Sequence, residues 1–111
     1  MEKQIKKKRG EETPKKAVEK PKENVVFIGR KPLINYVVAC LTFFNAGEEE
    51  IVVKARGRAI STAVDTVELL KRGFLKNLEV KSIEIDTEEI ASFEGQRRNV
   101  STIDIKLTKS D

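Results

Sequence analysis

Apolar runs alternate with short polar breaks along most of the chain, and their spacing predicts the order of secondary structure. The run VVFIG at 25–29 is continuous and apolar, which is typical of a strand covered on both faces. Pro32 suits the first turn of a helix, and residues 33–44 are apolar on most sides, so this helix should be largely buried. Gly47 is expected to follow the helix in the left-handed region.

A second strand and a second helix follow. The strand IVVKA at 51–55 precedes a segment, 59–72, whose apolar positions recur with helical spacing and form one stripe: Ile60, Ala63, Val64, Val67 and Leu70. Gly73 is expected to close this helix and to leave Phe74 just beyond it. Strand, helix and strand with such short connections imply a parallel pair joined by a right-handed crossover.

Two further strands complete the pattern. In the first of them strict alternation breaks, which indicates a bulge near 81–82. The second alternates with period 2, and one of its faces carries Ser101, Ile103, Ile105 and Leu107. Between them, 92–99 (SFEGQRRN) reads as a polar hairpin tip turned at Gly95. The predicted fold is therefore an α/β two-layer sandwich with the order βαβαββ and an extended hairpin.

Residues 1–23 differ in composition from the rest of the chain. They lack apolar periodicity and consist mostly of Lys and Glu, so we expect a disordered charged tail followed by one domain at 24–111. The tail holds nine Lys or Arg and five Glu, which accounts for the whole formal net charge of +4. Its densest patch, 6–9, suits a polyanion-binding arm, whereas the interspersed glutamates suit a merely solubilising tail.

The composition gives little support to catalysis. The chain has no histidine and one cysteine, so the usual zinc spacings and Cys–His nucleophiles are absent. Cys40 lies in the apolar run VVACLTFF, which predicts a buried, inert thiol. We expect no enzyme activity, metal, cofactor or small-molecule substrate. No apolar run approaches the roughly 18 residues that span a membrane, and a single cysteine fits a reducing cytoplasm.

Basic residues gather where the predicted elements end. Arg30 and Lys31 follow the first strand, KARGR at 54–58 follows the second, and Arg97 and Arg98 lie in the predicted hairpin tip. Because parallel strands end at the same edge of a sheet, the first two groups should be neighbours in space. The alternative is a set of solvated charged loops.

The chemistry of this edge points to phosphate. Gly57 permits close approach of the backbone to a ligand, and basic side chains beside the start of a helix form a natural phosphate site. Tyr36, one turn into the first helix, would either lie nearby with a hydroxyl free for a phosphate or be an ordinary core aromatic.

At these residues the chain resembles the Alba family of archaeal chromatin proteins. The matching segments are NVVFIGRKPLINYVVACLTFFNAG, IVVKARGRAISTAVDTVELLKRGFL and, more loosely, NVSTIDIKL, which span 24–109. The resemblance implies an Alba-type fold, similar to the C-terminal domain of translation initiation factor three. It also implies a cytoplasmic, nucleoid-associated homodimer that coats, bridges and compacts double-stranded DNA without sequence preference and also binds RNA.

The resemblance further implies roles for individual residues. Arg30 and Lys31 would lie at the centre of the DNA-facing surface of the dimer, with Arg56 and Arg58 flanking them. The complete expected set of nucleic-acid-binding residues is Arg30, Lys31, Asn35, Tyr36, Lys54, Arg56, Arg58, Arg97 and Arg98.

The hairpins would extend as arms along the minor groove, carrying Arg97 and Arg98. Phe74 matches a family position for dimer–dimer contacts along DNA, although a Phe that caps the core is the alternative. Arg30 stands where some members carry an acetylated lysine, so Lys31 or the tail lysines would be the modification sites here.

Two other functions remain open. The alternative is an RNA-binding protein or ribonucleoprotein subunit acting on structured RNA, since relatives in the wider superfamily are subunits of RNA particles. A third interpretation is an assembly protein whose basic face binds an acidic protein. A paralogue could also replace one subunit of the dimer.

Overall fold

The computed structural model describes residues 24–91 and 94–110, so the predicted tail at 1–23 lies outside the described residues. The elements are β1 (Val25–Phe27), α1 (Leu33–Asn45), β2 (Glu50–Arg56), α2 (Ala59–Leu69), a π-helical turn (Leu70–Phe74), β3 (Leu78–Ala91) and β4 (Arg97–Lys109). The order βαβαββ is confirmed, with the π-helical turn added after α2.

The four strands form one sheet in the order β1-β2-β4-β3. β1 pairs with β2 in parallel, as predicted, and the other two pairings are antiparallel. α1 and α2 pack together on one face of the sheet, which confirms the two-layer α/β architecture. The most deeply buried side chains between the layers include Val37, Cys40, Ile51, Val53, Leu70 and Leu107. We call the opposite side of the sheet the open face, because no described helix covers it.

β1 departs from its prediction. Val26 and Ile28 are buried against the helices, but Phe27 between them is 72% exposed on the open face. The expectation of a strand covered on both faces is therefore wrong. Only one layer of helices exists in the described residues, and three residues of strand are too few for alternation to be recognised in the sequence.

The ends of the two helices differ in how well the sequence predicted them. α1 begins directly after Pro32, and Gly47 follows its end with φ +98°, both as expected. α2 instead continues into the π-helical turn, where the Leu75 N–H donates to the Leu70 carbonyl at 2.7 Å. Gly73 therefore does not close the helix, and Phe74 lies inside the turn rather than beyond it. A glycine ends a helix by taking a positive φ, and Gly73 does not take one.

The buried side of α2 also differs from the predicted stripe. Val64 is exposed, while Thr66 is fully buried. The Thr66 hydroxyl donates to the Thr62 carbonyl at 2.8 Å, and this bond satisfies its polar group inside the core. None of the described helices is long and apolar enough to cross a membrane.

β3 and β4 form the long hairpin. A register shift between Val80 and Ser82 confirms the predicted bulge, and Gly95 has φ +83° at the turn. The strands extend further than expected, because Arg97 and Arg98 pair with Ala91 and Ile90 inside the ladder. The two arginines therefore belong to β4 rather than to the tip. Their strand pairing fixes the direction of their side chains.

Candidate nucleic-acid interface

Four arginines line one groove at the edge of the sheet. The groove has a volume of about 1160 Å³, and its basic residues are Arg30, Arg56, Arg58 and Arg98. We call it the arginine groove. Arg30 follows β1 and the next two surround the end of β2, so the predicted meeting of these two basic groups is confirmed. Arg98 joins them from β4, because β4 pairs directly with β2.

The turn that carries Arg30 is held by Tyr36. The Tyr36 side chain is buried, and its hydroxyl oxygen accepts hydrogen bonds from the backbone N–H groups of Gly29 and Lys31, both at 2.8 Å. The hydroxyl oxygen is therefore engaged with the backbone, and only its own O–H is left to donate to a phosphate. Tyr36 fixes the backbone on both sides of Arg30, so it also acts through the position of that arginine.

The turn between β2 and α2 is fixed in a similar way. Gly57 has φ +60°, and its N–H donates to the Ser101 carbonyl of β4 at 2.9 Å. Arg58 directly precedes α2, and no side chain among the described residues caps the first turn of that helix. The N–H groups at the start of α2, and the positive end of its dipole, therefore lie beside the arginine groove. This arrangement favours an anion.

Ion pairs separate the predicted basic residues into two sets. Lys54 pairs with Asp104 at 2.8 Å, Arg56 with Glu88 at 2.6 Å and Arg97 with Glu89 at 3.2 Å. Within 24–91 and 94–110, no carboxylate pairs with the cations of the other set, which are Arg30, Lys31, Arg58 and Arg98. Three of these four unpaired cations line the arginine groove, so its net field is positive.

The structure does not bring every predicted residue into the groove. Lys31 and Asn35 are exposed nearby without lining it. Lys54 lies on the open face, and Arg97 pairs with Glu89 and does not line the groove. Phe74 is 48% exposed in the π-helical turn, at the opposite end of α2 from Arg58, and it lies outside the core cluster.

Two apolar features escaped the sequence reasoning. One is Phe27, whose exposure depends on which face the helices cover. The other is Ile83 and Ile85 in β3, which are 57% and 77% exposed. They pair with the buried Ile105 and Ile103, so they lie on the helix-covered side of the sheet but beyond the helices. The sequence shows that Ile83 and Ile85 lie on the same face of β3. It does not show that the two helices are too narrow to cover that strand.

Cys40 agrees with its prediction. Its side chain is completely buried, and this burial raises the pKa of the thiol to about 12. The thiolate that would act as a nucleophile or metal ligand is therefore strongly disfavoured in the folded protein.

A single sheet with helices on one face and an arginine-lined edge defines a two-layer α/β protein with a basic groove. A family model described as Alba matches residues 24–87, and the chain belongs to the Alba family. The "DNA/RNA-binding protein Alba" of Methanocella arvoryzae is 52% identical over 89 residues, which cover 80% of this chain and 93% of the relative. "DNA/RNA-binding protein Alba 1" of Archaeoglobus fulgidus is 54% identical over 87 residues, covering 78% and 97%.

Solved structures agree with this assignment. Alba from Thermoplasma volcanium superposes with a TM-score of 0.74 at 41% identity, covering 78% of this chain and all of that one (100%). ALBA1 from Trypanosoma brucei superposes with a TM-score of 0.65 at 31% identity, covering 83% and 74%. The similarity therefore covers about four-fifths of the chain.

Proposed function

We propose that this protein binds nucleic acid through the arginine groove, with backbone phosphates as the primary ligands. The observation that carries the proposal is the convergence of Arg30, Arg58 and Arg98, from three parts of the chain, with no carboxylate partner among the described residues. The relatives named DNA/RNA-binding protein Alba support it.

The chemistry of the groove suits phosphate. Each guanidinium can donate two parallel hydrogen bonds to phosphate oxygens, and the start of α2 adds backbone donors. Arg56 can exchange its exposed pairing with Glu88 for a phosphate at little cost. Phosphate contacts position a protein on the duplex without reading bases, so binding should be independent of sequence. DNA and RNA both carry such phosphates; double-stranded DNA is proposed as the main ligand and RNA as a second one.

Two copies of the chain are proposed to associate through β3. Val80, Ile83 and Ile85 form an exposed apolar row on the helix-covered side of the sheet, beyond the helices. Exposed apolar rows of this kind commonly mark protein interfaces. Ile85→Glu should shift sedimentation equilibrium towards the monomer, whereas Val38→Glu, at a similarly exposed apolar position on α1, should not. An unchanged dimer in Ile85→Glu would exclude this surface.

The dimer leads to the chromatin role. Domain 24–111 would coat and bridge DNA in the nucleoid, with Phe74 making dimer–dimer contacts and a paralogue able to replace one subunit. Lys31 is the proposed acetylation site: it is exposed, and no carboxylate of the described residues pairs with it. The function is one of binding rather than catalysis.

A comparison of ligands tests the proposal. Full-length protein is titrated with several unrelated duplex DNAs of equal length and with one structured RNA, all at the same salt concentration. We expect the duplexes to bind with similar constants. Differences of about 10³ or more, as found for specific regulators, would contradict the chromatin role. RNA that outcompetes every duplex would favour a ribonucleoprotein subunit, which the exposed Phe27 supports.

A further inference from the structure

We propose that the open face carries a second nucleic-acid site, in which the ring of Phe27 stacks on one unpaired base. We call this site the Phe27 pocket. It has a volume of about 550 Å³, and the side chains used in the argument are Phe27, Lys54, Arg56, Glu88, Thr102 and Asp104. The inference rests on the proposed function, because the backbone of the same strand must be held in the arginine groove.

The exposure of Phe27 is the first observation. A Phe side chain that is 72% exposed leaves a large apolar area in water, although its strand neighbours Val26 and Ile28 are buried. The ring stands on an open sheet face, beside its strand partner Lys54. Proteins that bind single strands present aromatic rings on sheet faces in this way, because every base offers a flat face for stacking.

Continuity with the arginine groove is the second observation. Arg56 lines both the groove and the Phe27 pocket. A strand whose phosphates lie along Arg30, Arg58 and Arg98 can therefore reach the pocket by way of Arg56, which must exchange its pairing with Glu88. The guanidinium of Arg56 can hold the phosphate of the nucleotide whose base turns towards Phe27.

The rim of the pocket carries both positively and negatively charged side chains, which can donate to and accept from the edge of a base. Glu88 and Asp104 are paired with Arg56 and Lys54, but each carboxylate keeps lone pairs that can accept from exocyclic amino groups. The Lys54 ammonium has three N–H donors, so it can donate to a carbonyl or ring nitrogen besides Asp104. Thr102 adds a hydroxyl that can do either. The pocket therefore accepts several bases and need not read one of them strictly.

The geometry selects unpaired bases. A base inside a duplex has both faces covered by its neighbours, so it cannot stack on Phe27 without leaving the helix. Loops and single-stranded ends carry such bases already. The Phe27 pocket also lies on the opposite face from Ile83 and Ile85, so dimerisation through β3 leaves it open. The preferred ligand is thus a duplex stem that ends in an unpaired loop.

The test uses the full-length protein and an RNA hairpin with the fluorescent base 2-aminopurine in its loop. A second RNA places the same base in a continuous duplex. Wild type should quench the loop fluorophore, because stacking on an aromatic ring quenches it, and should leave the duplex fluorophore unchanged. Phe27→Tyr keeps the ring and should quench as well. Phe27→Ile keeps an apolar, strand-favouring side chain without a ring and should not quench.

Affinity gives an independent readout. Phe27→Ile should bind the hairpin about tenfold more weakly, the typical effect of one lost stacking contact, and should bind duplex as wild type does. Equal binding of both ligands by Phe27→Ile and wild type, or equal weakening of both, would overturn the Phe27 pocket. Absence of quenching by wild type bound to the hairpin would do so without any variant. Failure of wild type to bind either RNA would overturn the Phe27 pocket and the RNA-binding part of the proposed function, whereas binding to duplex DNA is tested separately.

Discussion

The guanidinium Nη1 of Arg56 lies 2.6 Å from Oε1 of Glu88, and both side chains are more than half exposed, at 60% and 52%. Water screens such a pair, so it contributes no more than about 1 kcal/mol to stability. Its larger effect falls on the ligand. Glu88 places a negative charge beside the arginine groove. It pairs with Arg56, and among the described residues Arg56 is the one arginine of the groove that has a carboxylate partner.

Removal of that carboxylate should strengthen binding. Glu88→Gln keeps the shape of the side chain and releases Arg56, so we expect duplex DNA affinity to rise by about two- to fivefold at low salt. Electrophoretic titration or fluorescence anisotropy measures the change. Glu84→Gln is the matched control, since it alters net charge equally on the same face of β3 but lines neither the arginine groove nor the Phe27 pocket. Equal effects of the two variants would contradict a specific competition at Arg56.

Tyr36 should matter for both stability and binding. Tyr36→Phe removes the acceptor of the Gly29 and Lys31 N–H groups; because both donor residues are exposed and water can replace the acceptor, each loss should cost about 0.5–1.5 kcal/mol. We expect lower stability in urea unfolding and weaker DNA binding, because the turn around Arg30 loses its anchor. Thr42→Val removes a hydroxyl bond on the exposed side of the same helix and should change neither. Wild-type affinity in Tyr36→Phe would show that the turn around Arg30 keeps its conformation without the Tyr36 hydroxyl.

A substitution at Phe74 should distinguish the binding of a single dimer from the cooperative coating of DNA by many dimers. Phe74→Ala should keep wild-type affinity for a duplex that holds a single dimer and reduce cooperativity on long DNA. Sedimentation or single-molecule stretching on long duplexes measures cooperativity directly. Val64→Ala, a comparably exposed apolar position on α2, is the control. Cooperative coating that persists in Phe74→Ala would leave Phe74 with a local packing role in the π-helical turn.

The Cys40 thiol provides a probe of folding. Because burial raises its pKa from 9.0 to about 12, alkylation by iodoacetamide at pH 8 should be very slow in the native protein and rapid after unfolding. The raised pKa also makes the stability of the folded protein depend on pH. Below pH 9 the thiol is neutral in both states, whereas between pH 9 and about 12 only the unfolded state ionises, so stability falls as pH rises. Rapid alkylation without unfolding would contradict the buried site.

The sequence predicted the features that depend on local spacing. Gly47 could be placed because a glycine after an apolar helix has one common role, and the bulge at Lys81 because one extra residue disturbs a period of two. The meeting of Arg30 with Arg58 followed from the parallel pairing of β1 with β2. These inferences needed only neighbouring residues and one rule of topology.

The predictions that failed depended on what covers each surface. Phe27 and Val26 look alike in the sequence, and only the single helical layer distinguishes the exposed one from the buried one. Gly73 did not end α2 with a positive φ. The chain continues through Gly73 as a π-helical turn, which ends at Phe74. For the Tyr36 hydroxyl the sequence left both a ligand and the core open, and the bonds it accepts from the backbone at Gly29 and Lys31 depend on a turn that local spacing does not show.

The salt dependence of duplex binding tests the central claim most directly. Arg30, Arg58 and Arg98 are changed together to Ala in the full chain, and the control changes Lys71, Arg72 and Lys76, exposed cations beyond the other end of α2. Log affinity falls with log salt by about 0.9 for each phosphate neutralised. We expect the groove variant to bind weakly with a slope lower by about 2.7 for each bound subunit, one contact per arginine, and the control to keep nearly the wild-type slope. A wild-type slope in the groove variant, or an equal loss in the control, would show that cations outside the arginine groove carry the binding.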